Sequence, residues 1–134
     1  MSLLKTIKEL IVPVALAPHI AVGKAGEVIA EKFLRSLGYK IIDRNVKVGK
    51  HDEIDIIAFD RNDNVYVFAE VKTRSRSDVD FRPELNITFD KRTRMARAAR
   101  RWMAERNEDI GYRLDVLCVV EGNVVDHFVE VAWS

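Results

Sequence analysis

Cysteine is nearly absent from this 134-residue chain: Cys118 is the only one, and it lies in an apolar run. No intrachain disulfide and no cysteine zinc cluster can form, which fits a reducing cytoplasm. Long apolar runs are missing too. Leu10 to Ala17 is interrupted by Pro13 and preceded by Glu9, whereas a spanning helix needs about 20 apolar residues, so no membrane association is expected. Ala15-Leu16-Ala17 behind Lys5 and Lys8 has the small-x-small form of a secretory cleavage site. The interruptions favour instead an apolar arm or helix over residues 1–22 that packs on the body or on a second subunit. The chain also has no Gly-rich phosphate loop, no nucleophile elbow, no zinc motif and no internal repeat. His19 and His127 have no ligand-spaced partner, and His51 reads as a polar loop residue.

Net charge is almost absent as well, at +1, so overall charge names no partner. Its distribution is more informative. Residues 72–106 hold 11 Lys and Arg against 5 Asp and Glu, which leaves the remainder acidic. A basic surface beside an acidic site suits a protein that handles a polyanion, although a solvated charged helix would look the same.

With 48% hydrophobic residues, a chain of this length buries one core. Ala25, Val28, Ile29, Ala30, Phe33, Leu34 and Leu37 follow helical spacing from Gly23, and Gly38 supplies the stop. Strands are expected over Tyr39–Val48, Glu53–Asp60 and Val65–Thr73. A second helix is expected over Lys91–Arg106, capped by Asp90 or Thr88, with Met95, Ala98, Ala99, Trp102 and Met103 as its buried stripe. Residues 73–90 have weak periodicity and read as a surface connection. Two closing strands, Tyr112–Val120 and Val124–Trp133, flank a turn at Gly122-Asn123. Ile54, Ile56 and Ala58 would occupy one face of the sheet, with Ile57, Phe59, Tyr66 and Phe68 on the other. Apolar residues on both faces require cover on both sides. The expected architecture is α/β, bordering on α+β: one domain over residues 23–134 with a mixed central sheet of about five strands flanked by helices.

The chemistry concentrates in Glu53-Ile54-Asp55 and Glu70-Val71-Lys72, which flank the turn-rich Arg61-Asn62-Asp63-Asn64. A hairpin centred on Asn62-Asp63 sets Asp55 against Glu70 and Glu53 against Lys72. Opposed residues lie about 5 Å apart at Cβ, where like charges repel. A divalent cation, a shared proton or neighbouring bases must hold the two acids together. Period two puts Lys72 on the face of Glu70. Asp55 and Glu70 could bind Mg²⁺ or Mn²⁺ together with the Val71 carbonyl, with Lys72 orienting the attacking water and steadying charge on a scissile phosphate. The bland alternative is an ion pair among Glu70, Lys72 and Glu53.

Glu27 follows Gly26 near the expected helix start, where the dipole welcomes an acid; its functional version is a further metal ligand or water holder. Glu31, one turn later, reads as solvent-exposed. Arg113-Leu114-Asp115 reads as a local salt bridge on a strand.

These motifs in order, Gly23-x-x-Gly26-Glu27-x-x-Ala30, Leu37-Gly38-Tyr39, Arg44-Asn45, Glu53-Ile54-Asp55-Ile56-Ile57-Ala58, Glu70-Val71-Lys72-Thr73-Arg74, Lys91 and Arg113-Leu114-Asp115, resemble the YraN-type family, whose uncharacterised members are regarded as endonucleases. The resemblance covers roughly Gly23 to Val120. It implies a restriction-endonuclease-like fold with a PD-(D/E)XK type of site, similar also to archaeal Holliday junction resolvases. Carried over by position, the first acid falls on Asp55, the Glu-x-Lys on Glu70 and Lys72, and the helix glutamate on Glu27. Two departures stand out: Asp52 where the family usually has Gly, and Leu114 where it usually has Phe.

The expected activity is therefore Mg²⁺- or Mn²⁺-dependent hydrolysis of DNA, with branched or junction DNA as a candidate substrate. Arg74, Lys91, Arg94, Arg97 and Arg101 would grip phosphates, and a homodimer would suit a near-symmetric junction. The rival expectation is a non-catalytic nucleic-acid-binding or scaffold module that keeps the same fold.

Overall fold

A computed structural model describes residues 18–74 and 88–130. Residues 1–17 of the expected 1–22 arm, most of the connection before the second helix, and the last strand beyond residue 130 lie outside the described residues; residues 18–22 of that arm are helical and continuous with the following helix.

Helix α1 runs Pro18–Ser36, starting five residues before the expected Gly23. Proline suits a first helical position because its fixed φ is already helical. Gly23 inside a helix costs about 1 kcal/mol but does not end it. The other end is the expected one. Gly38 takes φ +89°, its N–H reaches the Arg35 carbonyl at 2.9 Å and the Tyr39 N–H reaches the Leu34 carbonyl at 3.1 Å. This is the Schellman arrangement that ties off orphan carbonyls.

Strands β1 (Lys40–Val48), β2 (Asp52–Asp60) and β3 (Val65–Arg74) follow, then helix α2 (Phe89–Glu105), β4 (Tyr112–Val120) and β5 (Asn123–Phe128). Thr88 is the cap of α2, its hydroxyl accepting from the Lys91 N–H at 3.1 Å. The sheet has the order β1-β2-β3-β4-β5, antiparallel throughout except for the parallel β3–β4 pair. That pair requires a crossover, which α2 supplies. The result is an α/β domain with a mixed five-stranded sheet between two helices, compatible with a restriction-endonuclease-like fold.

Each face has its own core. Ile56, Ala58, Val67, Ala69, Leu117 and Val119 pack beneath Ala30 and Leu34 of α1. Ile57, Phe68 and Leu114 pack beneath Met95, Ala99, Trp102 and Met103 of α2. Burying Phe68, which is 1% exposed, contributes about 2–3 kcal/mol on its own. Ile54 corrects the expected alternation. It joins Ile57 on the α2 side rather than Ile56. The physical reason is local: the β2–β3 ladder ends at the Ile56–Ala69 pair, so the start of β2 is free to turn away from β3.

Gly26 sits where α1 crosses β3, and a Cβ there would run into the Thr73 side chain. The helix can therefore lie close to the strand just past Lys72, which places the residue after Gly26 against the same end of the sheet.

Candidate metal and nucleic-acid site

Four elements contribute to one end of the sheet. The β2–β3 pairing has Ile56 against Ala69 and Ile57 against Phe68, the register expected from the turn. Continued by one residue, it sets Asp55 against Glu70. Beyond the last paired rung, the Val71 N–H donates to Asp55 Oδ2 at 2.9 Å, so a carboxylate takes a backbone donor where the ladder has stopped. Lys72 Nζ lies 3.3 Å from Glu70 Oε1, and Lys91 Nζ from α2 lies 3.4 Å from the same oxygen. The ion pair of Lys72 is thus with Glu70, its neighbour on the strand face, and the expected compensation of Lys72 by Glu53 is replaced by that closer acid.

The electrostatics are those of crowded acids. Burial, then the charge of Glu70, push the Asp55 carboxyl up to about 7, against the opposing pull of the Val71 N–H. Glu27 is also raised, first by burial, with Glu53 and Glu70 adding to it and Lys24 opposing. Glu27 lies well inside α1, whose first turn carries no acid. The helix-dipole account of this residue therefore fails, because the helix starts at Pro18. Its Oε1 is buried and has no hydrogen-bond partner among the described residues. An unpaired buried carboxylate oxygen costs free energy unless a further group meets it.

Among the described residues no group of three or more His, Cys, Asp or Glu forms a metal cage. A closed structural site is thereby excluded for those residues. Mg²⁺ asks for less: one or two carboxylates, with water and phosphate completing its shell. Hard oxygen donors, an acid pair that burial and repulsion disfavour, and the unmet Glu27 oxygen all fit that open kind of site.

The expected phosphate-gripping residues divide. Lys91 belongs to the carboxylate cluster itself. Arg94 lines a groove of about 330 Å³ with His51, Asp52, Glu53, Lys91 and Met95. Arg97 makes a two-pronged pair with Asp52 at 2.8 and 2.9 Å, and its hydrogen bond holds Asp52 below the usual carboxylate range. Asp52, the position that departs from the family pattern, thus ties the start of β2 to α2. Arg101 pairs with Glu105 at 3.0 Å, and Arg74 donates to its neighbour's Thr73 carbonyl at 2.9 Å. Arg97 and Arg101 remain over half exposed, at 54% and 60% of the side chain.

Glu31 was expected in solvent, but its side chain is only 16% exposed. Arg44 reaches it at 2.6 and 3.0 Å and Arg35 at 3.0 Å. The i,i+4 spacing to Arg35 was a usable signal; the reach to Arg44 on β1 was not. A larger network lies towards the other end of β2. Arg113 grips Asp115 at 2.9 and 3.1 Å, Asp60 at 3.1 Å, Asp63 at 3.3 Å and the Tyr39 hydroxyl at 2.6 Å. His127 Nε2 lies 2.8 Å from Asp115 and the Glu130 N–H 3.1 Å from it. The expected Arg113–Asp115 pair is therefore the centre of a buried network.

Comparison with known proteins follows the same residues. The family model described as "Uncharacterised protein family UPF0102" matches residues 26–119, a span holding Glu27, Asp55, Glu70, Lys72 and Lys91. A UPF0102 protein of Bacteroides thetaiotaomicron is 39% identical over 118 residues, covering 86% of this chain and 94% of that one. One from Prosthecochloris aestuarii is 35% identical over 130 residues, covering 90% and 98%. Another, from Chloroherpeton thalassium, is 34% identical over 103 residues, covering 76% and 77%.

Proposed function

The chain belongs to the uncharacterised protein family UPF0102, and on the chemistry of its acid–acid–lysine cluster we propose that it is a divalent-metal-dependent endonuclease acting on DNA. The observation that carries this reading is the acid–acid–lysine cluster at one end of the sheet, with Asp55 Oδ2 held by the Val71 N–H at 2.9 Å and Lys72 Nζ 3.3 Å from Glu70 Oε1. A binding module has no need of two half-buried acids that repel each other. An enzyme that recruits a cation to them does.

Asp55 and Glu70, with the Val71 carbonyl, are the oxygen donors that would hold Mg²⁺ or Mn²⁺, and the buried Glu27 oxygen would meet a water of that ion's shell. When bound, such an ion supplies Lewis acidity towards a phosphoryl oxygen and a lowered pKa for a coordinated water. The chain's own groups do the rest. Lys72 orients the attacking water and places an ammonium against the charge that develops on the phosphate. Asp55 is held in position by the Val71 N–H. Lys91 and Arg94 line the groove beside the cluster and offer cations to flanking phosphates, which position a duplex without reading its sequence. Junction or branched DNA is the proposed substrate class, with a homodimer supplying two sites for its two strands.

The test is cleavage of labelled single-stranded, duplex, flap and four-way DNAs in Mn²⁺ or Mg²⁺ by the wild type, Lys72→Ala and Glu70→Ala. Cutting by the wild type that both variants lose is the expected result. Intact DNA binding by all three proteins with no cutting by any would replace the enzyme with the binding module.

A further inference from the structure

Glu70 Oε1 receives two ammonium groups, Lys72 at 3.3 Å from its own strand and Lys91 at 3.4 Å from α2. The second is the unexpected one. Lys91 stands in the first turn of α2, where its backbone N–H is capped by Thr88. The partial positive charge of a helix N-terminus disfavours a cation in that turn; Asp90 in the same turn and Glu70 on β3 are the acids that offset it.

Resting on the proposed metal-dependent reading, we infer that Lys91 is a stand-in cation, an ammonium on the Glu70 carboxylate that competes with the divalent cation for that charge. A divalent cation drawn to the Glu70 carboxylate repels the Lys91 ammonium held on it at 3.4 Å, so the two compete for that charge. Of the two lysines, Lys91 is the one with somewhere to go. Its side chain is 29% exposed against 21% for Lys72, and it lines the groove that also holds Arg94 and His51. Released from Glu70, its ammonium faces that groove, where a substrate phosphate replaces the lost carboxylate. Cation and phosphate binding are then coupled through one side chain, and a coupling of this kind is reciprocal by thermodynamic necessity.

Mn²⁺ titration calorimetry on the DNA-free protein tests this without relying on turnover. Lys91→Gln removes the competing charge and is expected to bind Mn²⁺ about five- to tenfold more tightly than the wild type. Lys91→Arg keeps the charge and is expected to stay near the wild type. Lys91→Ala, with the best helix propensity, serves the same arm should the glutamine variant fold poorly. Equal or weaker Mn²⁺ binding by Lys91→Gln and Lys91→Ala overturns the inference while leaving the metal site standing. Absence of Mn²⁺ binding in the wild type and in every variant overturns the metal-dependent reading, and the inference falls with it.

Discussion

Asp55 and Lys72 separate the two roles a charged side chain can have at this site. The Asp55 carboxyl, pushed up to about 7 by burial and Glu70, binds a proton in the native state at pH values where the unfolded chain has released it. Native stability from this residue is therefore fully present below about pH 4 and is lost as pH rises through about 7. Asp55→Asn keeps an acceptor for the Val71 N–H but removes the charge. It is expected to stabilise the metal-free protein by about 1–3 kcal/mol at pH 8 and by little at pH 4, as thermal melts at the two pH values would show. Mn²⁺ should raise the melting temperature of the wild type at pH 8 and leave that of Asp55→Asn unmoved. Lys72→Ala has a different signature. Under the proposed activity, DNA affinity should change little while single-turnover cleavage falls by about 10²–10⁴, because the ammonium would act on the reacting groups rather than on the duplex.

At the scale of elements, the position of Glu27 depends on how closely α1 approaches β3. Gly26→Ala sets a methyl group against Thr73, and the helix must lift. The expected cost is about 1–3 kcal/mol, as for overpacking elsewhere, with weaker Mn²⁺ binding because Glu27 moves with the helix; denaturation and metal titration would read the two effects. This contact also marks the limit of what sequence patterning conveys. Strand and helix periods, the Gly38 stop, the Asn62-Asp63 turn and the β2–β3 register that it sets are local or one hairpin apart, and they could be read directly. The early start of α1 was hidden because Gly23 looks like a boundary and is tolerated as an interior residue. The side taken by Ile54 depends on where a ladder stops, and the Asp52–Arg97 pair spans 45 positions. Neither leaves a periodic trace.

Across the whole molecule, the two ends of the sheet respond to pH with opposite sign. Hydrogen bonds from Arg113, with those from His127 to Asp115 and from the turn amides to Asp60, outweigh burial and hold both carboxyls below the usual range. Their contribution is present above about pH 4 and lost as pH falls through their depressed values. The crowded acids at the other end lose stability as pH rises. The metal-free protein should therefore be most stable in mildly acidic solution, and added Mn²⁺ should move that optimum upward. Arg113→Met strands Asp60 and Asp115 in the interior, and urea unfolding is expected to show a loss of about 3–5 kcal/mol. DNA binding should weaken steeply with salt, since each neutralised phosphate contributes a slope of about −0.9 in log K against log salt. Cys118 carries a further consequence. It is fully buried on β4, in register with Lys72 of β3 and Asp126 of β5. The rate at which this thiol reacts with a small disulfide reagent is thus a built-in clock for how often β4 is uncovered by its neighbours, readable without labels or added mutations.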